Sequence, residues 1–279
     1  MYSDIVFVRT RWHYQSYTDY WKLIELAGYQ SCYVDEVDVS QPCVYIVCPM
    51  NGEWRPHIDS QRNMSKRATL VLWNLERPGG SGTLHNYVSE NHELIDRKYV
   101  DVVVVSDAAL AAQGDFHYVP LGSDVGLGSP GAESDKEFDL IGLMCYSARR
   151  AFMFRSANEL ASVVGGMTMA PNGWGNERHG RLQRAKFMLN VHQDNFSFIE
   201  PLRFALAAAY GLPIITESCH DVGIYAGTHI VSADLHNLLV AAANAVSAYV
   251  SDGWYGRGMY FRQLLTGSLS FRRCLGAYL

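Results

Sequence analysis

With 279 residues, 48% of them hydrophobic and 18% charged, the chain can bury the cores of two ordinary domains and is too apolar to be a disordered protein. Its formal net charge of -5 argues against a non-specific polyanion binder, although a local basic patch can survive inside an acidic total. Six cysteines (Cys32, Cys43, Cys48, Cys145, Cys219 and Cys274) are scattered with no CxxC pair, which suits buried thiols in a reducing cytoplasm better than a disulfide frame or a zinc site.

Ile5–Val8 reads as a first strand. Asp4, Arg9 and Arg11 interrupt that apolar run, so it lacks the character of a secretory leader. Gln15–Leu26 has the apolar spacing of a helix, and Cys32–Val34, Val44–Cys48, Leu70–Leu75 and Val102–Val105 are short, largely β-branched runs. Runs of this kind, with Leu84–Ile95 as one of the crossover helices, are expected of parallel strands covered on both faces.

Gly122–Lys136 is rich in Gly, Ser, Pro and Asp and has no apolar periodicity, so it reads as a linker. The alternation then restarts, with strands expected at Leu140–Cys145, Gly165–Ala170, Phe187–Val191, Leu212–Thr216 and His229–Ser232. Helices are expected at Ala148–Leu160, Glu177–Arg184, Glu200–Tyr210 and Leu235–Val250; Asn244 and Ser247 make the last a packed helix rather than a membrane span. The tail from Gly256 to Leu279 is helical, with Phe261, Leu264, Leu265 and Leu269 on one face. The expected fold class is α/β, with two Rossmann-like domains facing a cleft. Residues 1–124 form the first domain, 125–257 the second, and 258–279 a helical crossover closing back towards the first.

The most informative stretch runs from Lys186 to Glu217: a buried strand, a polar loop, a helix, a Gly-Leu-Pro turn and a second buried strand. Lys186, Glu200, Arg203 and Glu217 fall near element ends, and open α/β sheets bind ligands in the crevice outside the carboxyl ends of their strands. Asn190, His192 and Asp194 sit where the first of these strands ends. Arg149 and Arg150 follow the strand that opens the second domain. In the first half, Glu76 and Arg77 end the Trp73–Pro78 run and precede the loop Gly79-Gly-Ser-Gly82. That loop lacks the Gly-Lys-Ser/Thr ending of a P-loop, and the chain has no HExxH metal motif and no GxSxG elbow. His13 follows the first strand beside Trp12.

Four pieces of the second half resemble the GT-B glycosyltransferases, specifically the glycosyltransferase family 4-related group that includes the spore-maturation CgeB-like transferases. They are Asp139–Arg150, the Asn172-Gly-Trp-Gly175 turn, Lys186–His192, and Arg203–Gly211 with Pro213 and Glu217. The resemblance covers roughly 139–217 well and the first half by architecture alone. It implies transfer of a hexosyl group from a nucleotide-diphosphate-sugar, UDP-sugar favoured, with retention of configuration, no required metal and no permanently bound cofactor. Arg149, Arg150, Lys186, Asn190, Glu200, Arg203 and Glu217 would bind the donor, and His192 and Asp194 would line the reacting centre. Glu76 would serve as base for the acceptor hydroxyl or hold the acceptor, with His13 and Arg77 beside it; Arg77 could equally neutralise Glu76. Related retaining enzymes carry a further Glu in the helix, where this chain has Leu206, so the ribose contact falls to Glu200 or Glu217.

The acceptor is open among a glycan, a small molecule, a protein and modified DNA, with no membrane insertion. Arg55, Arg62, Lys66 and Arg67 could form a basic patch for a phage-type enzyme acting on hydroxymethylated bases, or simply a solvated helix face. A nucleotide-sugar binding module without activity is the remaining alternative.

Overall fold

The computed structural model describes residues 5–9, 11, 18–47, 54–61, 64–75, 84–143, 147–153, 155–156, 168–170, 175–192, 199–219 and 230–278. The chain forms two compact units, Met1–Pro120 and Leu121–Leu279.

The first unit is a six-stranded, wholly parallel sheet. Its strands are β1 (Ile5–Arg9), β2 (Gln30–Tyr33), β3 (Val44–Val47), β4 (Thr69–Asn74), β5 (Val102–Val105) and β6 (His117–Tyr118), in the spatial order β2-β1-β3-β4-β5-β6. The crossovers carry helices α1 (Thr18–Leu26), α2 (Arg55–Ser60), α3 (Leu84–Asp96) and α4 (Ala108–Gly114). Phe7, Ile46, Leu70 and Val105 are at most 1% exposed, as strands covered on both faces require. The β-branched strands were legible in the sequence. Helix α2, helix α4 and the two-residue β6 were not, because each is too short to show a period.

The second unit repeats the plan with five parallel strands. They are β7 (Phe138–Ile141), β8 (Met169–Ala170), β9 (Ala185–Asn190), β10 (Ile214–Glu217) and β11 (Ile230–Ala233), in the order β11-β10-β9-β7-β8. Its helices are α5 (residues 148–153 of the described chain), α6 (Gly175–Arg184), α7 (Pro201–Ala209), α8 (Leu235–Ser247), α9 (Trp254–Thr266) and α10 (Phe271–Tyr278). Counted within the unit, the strand order is 2-1-3-4-5, so the winding reverses between β7 and β9. A reversal of this kind opens a crevice at the carboxyl ends of the two strands.

Two expectations change. The Gly/Ser-rich segment read as a linker is anchored to the second unit: Ser123 is fully buried and its hydroxyl donates to the Ala205 carbonyl at 2.7 Å. A Cβ on Gly122 would lie 1.9 Å from the Leu269 carbonyl oxygen, so glycine here permits a close backbone approach rather than chain freedom. The helical tail is two helices, α9 and α10, separated at Gly267–Ser270, and α9 packs on α7.

Candidate functional site

Three local features converge at the β7/β9 reversal. Ser147 accepts from the Arg150 backbone N–H with its hydroxyl, at 3.2 Å, which caps the start of α5 and places Arg149 and Arg150 in its first turn. Strand β9 delivers Asn190, Val191 and His192 at its carboxyl end. Helix α7 begins at Pro201, a residue preorganised for a first helical position, with Glu200 immediately before it. The Glu200 side chain makes no cap, and its carboxylate is turned to the arginines.

The result is a network of alternating charge. Arg149 clamps Glu217 with both terminal nitrogens, at 2.5 and 2.6 Å, in the bidentate geometry that guanidinium and carboxylate favour. Glu217 also accepts the His192 backbone N–H at 2.7 Å, while Arg149 donates to the His192 carbonyl at 3.2 Å. Arg150, 2% exposed, donates through Nε to the Val191 carbonyl at 2.8 Å and through Nη2 to Glu200 at 2.7 Å. Arg203 bridges the other Glu200 oxygen and Asn190 Oδ1, the latter at 2.6 Å. Asn190 is fully buried and also donates to Thr216 at 3.0 Å. Among the described residues, three arginines against two glutamates leave one net positive charge.

His192 sits inside this network, 4% exposed. Its Nδ1 lies 3.8 Å from Glu200, and its Nε2 lies 3.6 Å from the Cys219 sulfur. Burial pushes its pKa below the usual histidine value, against the opposing pull of Glu200 and Glu217, so the ring is neutral near pH 7. Cys219 and Thr216 escaped notice as site residues in the sequence. The only signal was their position at the end of a buried strand beside Glu217.

Of the sequence candidates, Arg149, Arg150, Asn190, His192, Glu200, Arg203 and Glu217 come together here. Lys186 does not. It stands at the opposite, amino end of β9, ion-paired at 2.7 Å with Asp139 near the start of β7. Leu206, the departure from the resembled pattern, is 3% exposed within α7 and packs in the core. His13, Glu76, Arg77 and Asp194, with most of the Asn172–Gly175 turn, lie outside the described residues. Among the described residues, no three His, Cys, Asp or Glu side chains stand close enough to hold a metal ion, and no helix is long and apolar enough to cross a membrane.

No protein-family profile and no curated protein sequence matches the chain. Solved structures do. AviGT4, a glycosyltransferase involved in avilamycin A biosynthesis, superposes with a TM-score of 0.53 at 13% identity, covering 99% of this chain and 98% of AviGT4. TarM superposes with a TM-score of 0.58 at 10% identity. A point mutant of S. aureus TarM, in complex with fondaparinux, alpha-GlcNAc-glycerol and UDP, superposes with 0.60 at 10%. In both TarM comparisons 85% of this chain is covered, and it spans about half (54%) of TarM. At such identities the likeness is one of fold: two Rossmann-like α/β units of the GT-B class.

Proposed function

We propose that the chain is a glycosyltransferase that moves a sugar from a nucleotide-diphosphate-sugar to an acceptor hydroxyl, with the second unit as the donor side. One observation carries the reading: three arginines meet at the carboxyl ends of β9 and β10, beside the start of α7. Transfer breaks the bond between the anomeric carbon and the diphosphate oxygen. The electron pair stays on the departing nucleoside diphosphate while the acceptor oxygen bonds the same carbon. Negative charge therefore grows on the diphosphate, and prepositioned guanidinium groups stabilise it.

Among the described residues, Arg203 Nε and Nη2 make no hydrogen bond, so Arg203 has donors left for phosphate oxygens. Glu200 fixes the guanidinium planes and has acceptor capacity left for a ribose hydroxyl. His192, neutral and beside Glu200, would hydrogen-bond a sugar hydroxyl without competing for the phosphates. In this reading the acceptor proton passes to a base, the role assigned to Glu76, and Asp194 lies beside the transferred sugar; His13 and Arg77 hold the acceptor. UDP is the favoured nucleotide, supported by the UDP complex of the structurally similar TarM mutant. The arginines take the charge-neutralising part, so no metal is needed, and undiminished turnover in EDTA would test that. Hexosyl transfer with retention rests on the family resemblance, and the anomeric configuration of the product tests it.

The deciding experiment is a thermal-shift series with uridine, guanosine and thymidine diphosphates and their sugars. At least one should raise the melting temperature of the chain, and Arg203→Ala should abolish the rise. If none stabilises the protein, the reading fails.

A further inference from the structure

The first unit holds a cavity of about 560 Å³ that the transfer reaction does not use. That volume lies within the roughly 300–1,000 Å³ typical of small-molecule sites. It sits at the amino ends of β4 and β5, where Leu70 is the second residue of β4 and Asp101 precedes β5, and beside the carboxyl end of α3. The α/β crevice rule thus does not account for it.

Its walls divide by chemistry. Val39, Ile58, Leu70 and Val100 are at most 4% exposed and form an apolar floor with Ile95. Lys66, Arg97 and Lys98 stand exposed at the rim, with Asp101 as the carboxylate among the lining residues and Glu93 paired with Arg97 beside them. Asp101 is already engaged: Lys66 holds both its oxygens at 2.6 Å, and one also accepts the Leu70 N–H at 2.8 Å. Gln61 is likewise committed, accepting from the Val39 N–H at 2.9 Å and donating to the Val37 carbonyl at 2.5 Å. The α3 carbonyls nearest the rim are capped, since Lys98 N–H donates to Ile95 and Tyr99 N–H to Leu94, so no bare carbonyl at those two positions repels an anion.

The rim cations differ in their commitments. Arg97 pairs with Glu93 on the same helix face, with both side chains more than half exposed, so that pairing is of little worth. Among the described residues the Lys98 ammonium has no partner. Its backbone is left-handed, φ 57°, at the position just past the helix where glycine is the usual choice.

We propose that this cavity binds a small amphiphilic anion, its hydrocarbon part on the Val39–Ile58–Leu70–Val100 floor and its carboxylate or phosphate head on Lys98 and Arg97. A neutral amphiphile would leave the head-group cations unused, and a bare anion would leave the apolar floor wet; the divided lining fits a ligand with both parts.

Calorimetric titration of the full chain tests this with octyl phosphate and octanoate below their micellar concentrations, and octyl glucoside as the neutral analogue. Both anions should bind saturably at one site, with octyl glucoside at least tenfold weaker. Lys98→Gly should weaken the anions at least fivefold. That variant suits the left-handed backbone, so a folding defect cannot mimic the loss. Equal affinity for octyl glucoside, no saturable heat, or unchanged affinity in Lys98→Gly would overturn the proposal. So would binding confined to phosphatidylglycerol vesicles, which would make this a membrane-facing surface rather than a site for a soluble ligand. The nucleotide-induced thermal shift is independent of every arm.

Discussion

Arg149 and Glu217 lie 68 residues apart in sequence, yet they meet in a two-point ion pair that also grips the backbone of His192 from both sides. The pair thus fixes the exit of β9 as well as balancing charge. Glu217 is 5% exposed, and removing its charge leaves a largely buried guanidinium uncompensated. Glu217→Ala should therefore cost about 3 kcal/mol in urea unfolding. The Arg149→Ala/Glu217→Ala double variant should lose less than the sum of the singles, by about 1–3 kcal/mol. Additive losses would mean that the two side chains act separately.

His192 makes stability depend on pH in a definite direction. Its folded pKa lies below the unfolded value near 6.5, so the unfolded chain binds the proton more readily. Its neutral form therefore contributes fully above about pH 6.5, and that contribution is lost as pH falls towards the folded pKa. Unfolding free energies measured between pH 5 and 8 should fall more steeply on the acid side in the wild type than in His192→Asn. Parallel curves would remove His192 as the cause.

Most strands of the two sheets were legible because they are apolar runs, and seven of the candidate residues meet because they follow the carboxyl ends of such strands or begin the helices after them. Lys186 misled for a physical reason. It lies near an element end as the others do, but at the amino end of its strand, which chain order already gives, and there it pairs with Asp139. The Gly122–Lys136 segment misled differently. Its composition matches a solvated tether, whereas Gly122, Gly128 and Gly131 have no room for a Cβ against Leu269, Tyr210 and Gln183. The Cys219–His192 contact joins residues 27 apart through strand pairing, and no local pattern announces it.

Lys186 accordingly gives a dissociating test. Its ammonium serves Asp139, whose carboxylate is buried but also accepts from the Thr168 N–H and hydroxyl. Those remaining donors soften the loss, so Lys186→Met should cost about 2 kcal/mol of stability. Nucleotide affinity at 25 °C should stay within twofold, because the strand places Lys186 roughly 13 Å from Asn190 at about 3.3 Å per residue. A tenfold loss of affinity in a folded variant would return Lys186 to the donor site.

Lys98 tests the backbone itself. A left-handed conformation costs an L-residue about 1–2 kcal/mol, and glycine avoids it while adding about 0.4–1 kcal/mol of unfolded-state entropy. Lys98→Gly should therefore be more stable by about 0.5 kcal/mol, and Lys98→Ala should gain nothing. A destabilised Lys98→Gly would show that the lysine side chain makes an interaction that outweighs the strain.

The crossing of α7 and α9 links packing to the site. A Cβ on Gly258 would stand 2.0 Å from the Gly211 carbonyl oxygen, and that oxygen belongs to a turn with φ 63° that leads from α7 into β10. The turn cannot yield without moving both elements, and these carry Glu200, Arg203 and Glu217. Gly258→Ala is thus an overpacking change, with an expected cost of about 2–3 kcal/mol. Because the displaced elements hold the ion-pair network, nucleotide binding should weaken severalfold at temperatures where the variant is still folded. Gly276→Ala is the control, since nothing lies within 4 Å of its Cβ position, and it should leave both properties unchanged. If Gly258→Ala loses stability but binds nucleotide as tightly as the wild type, the network adapts to a shifted α7, and the ligand geometry rests on β9 and α5 instead.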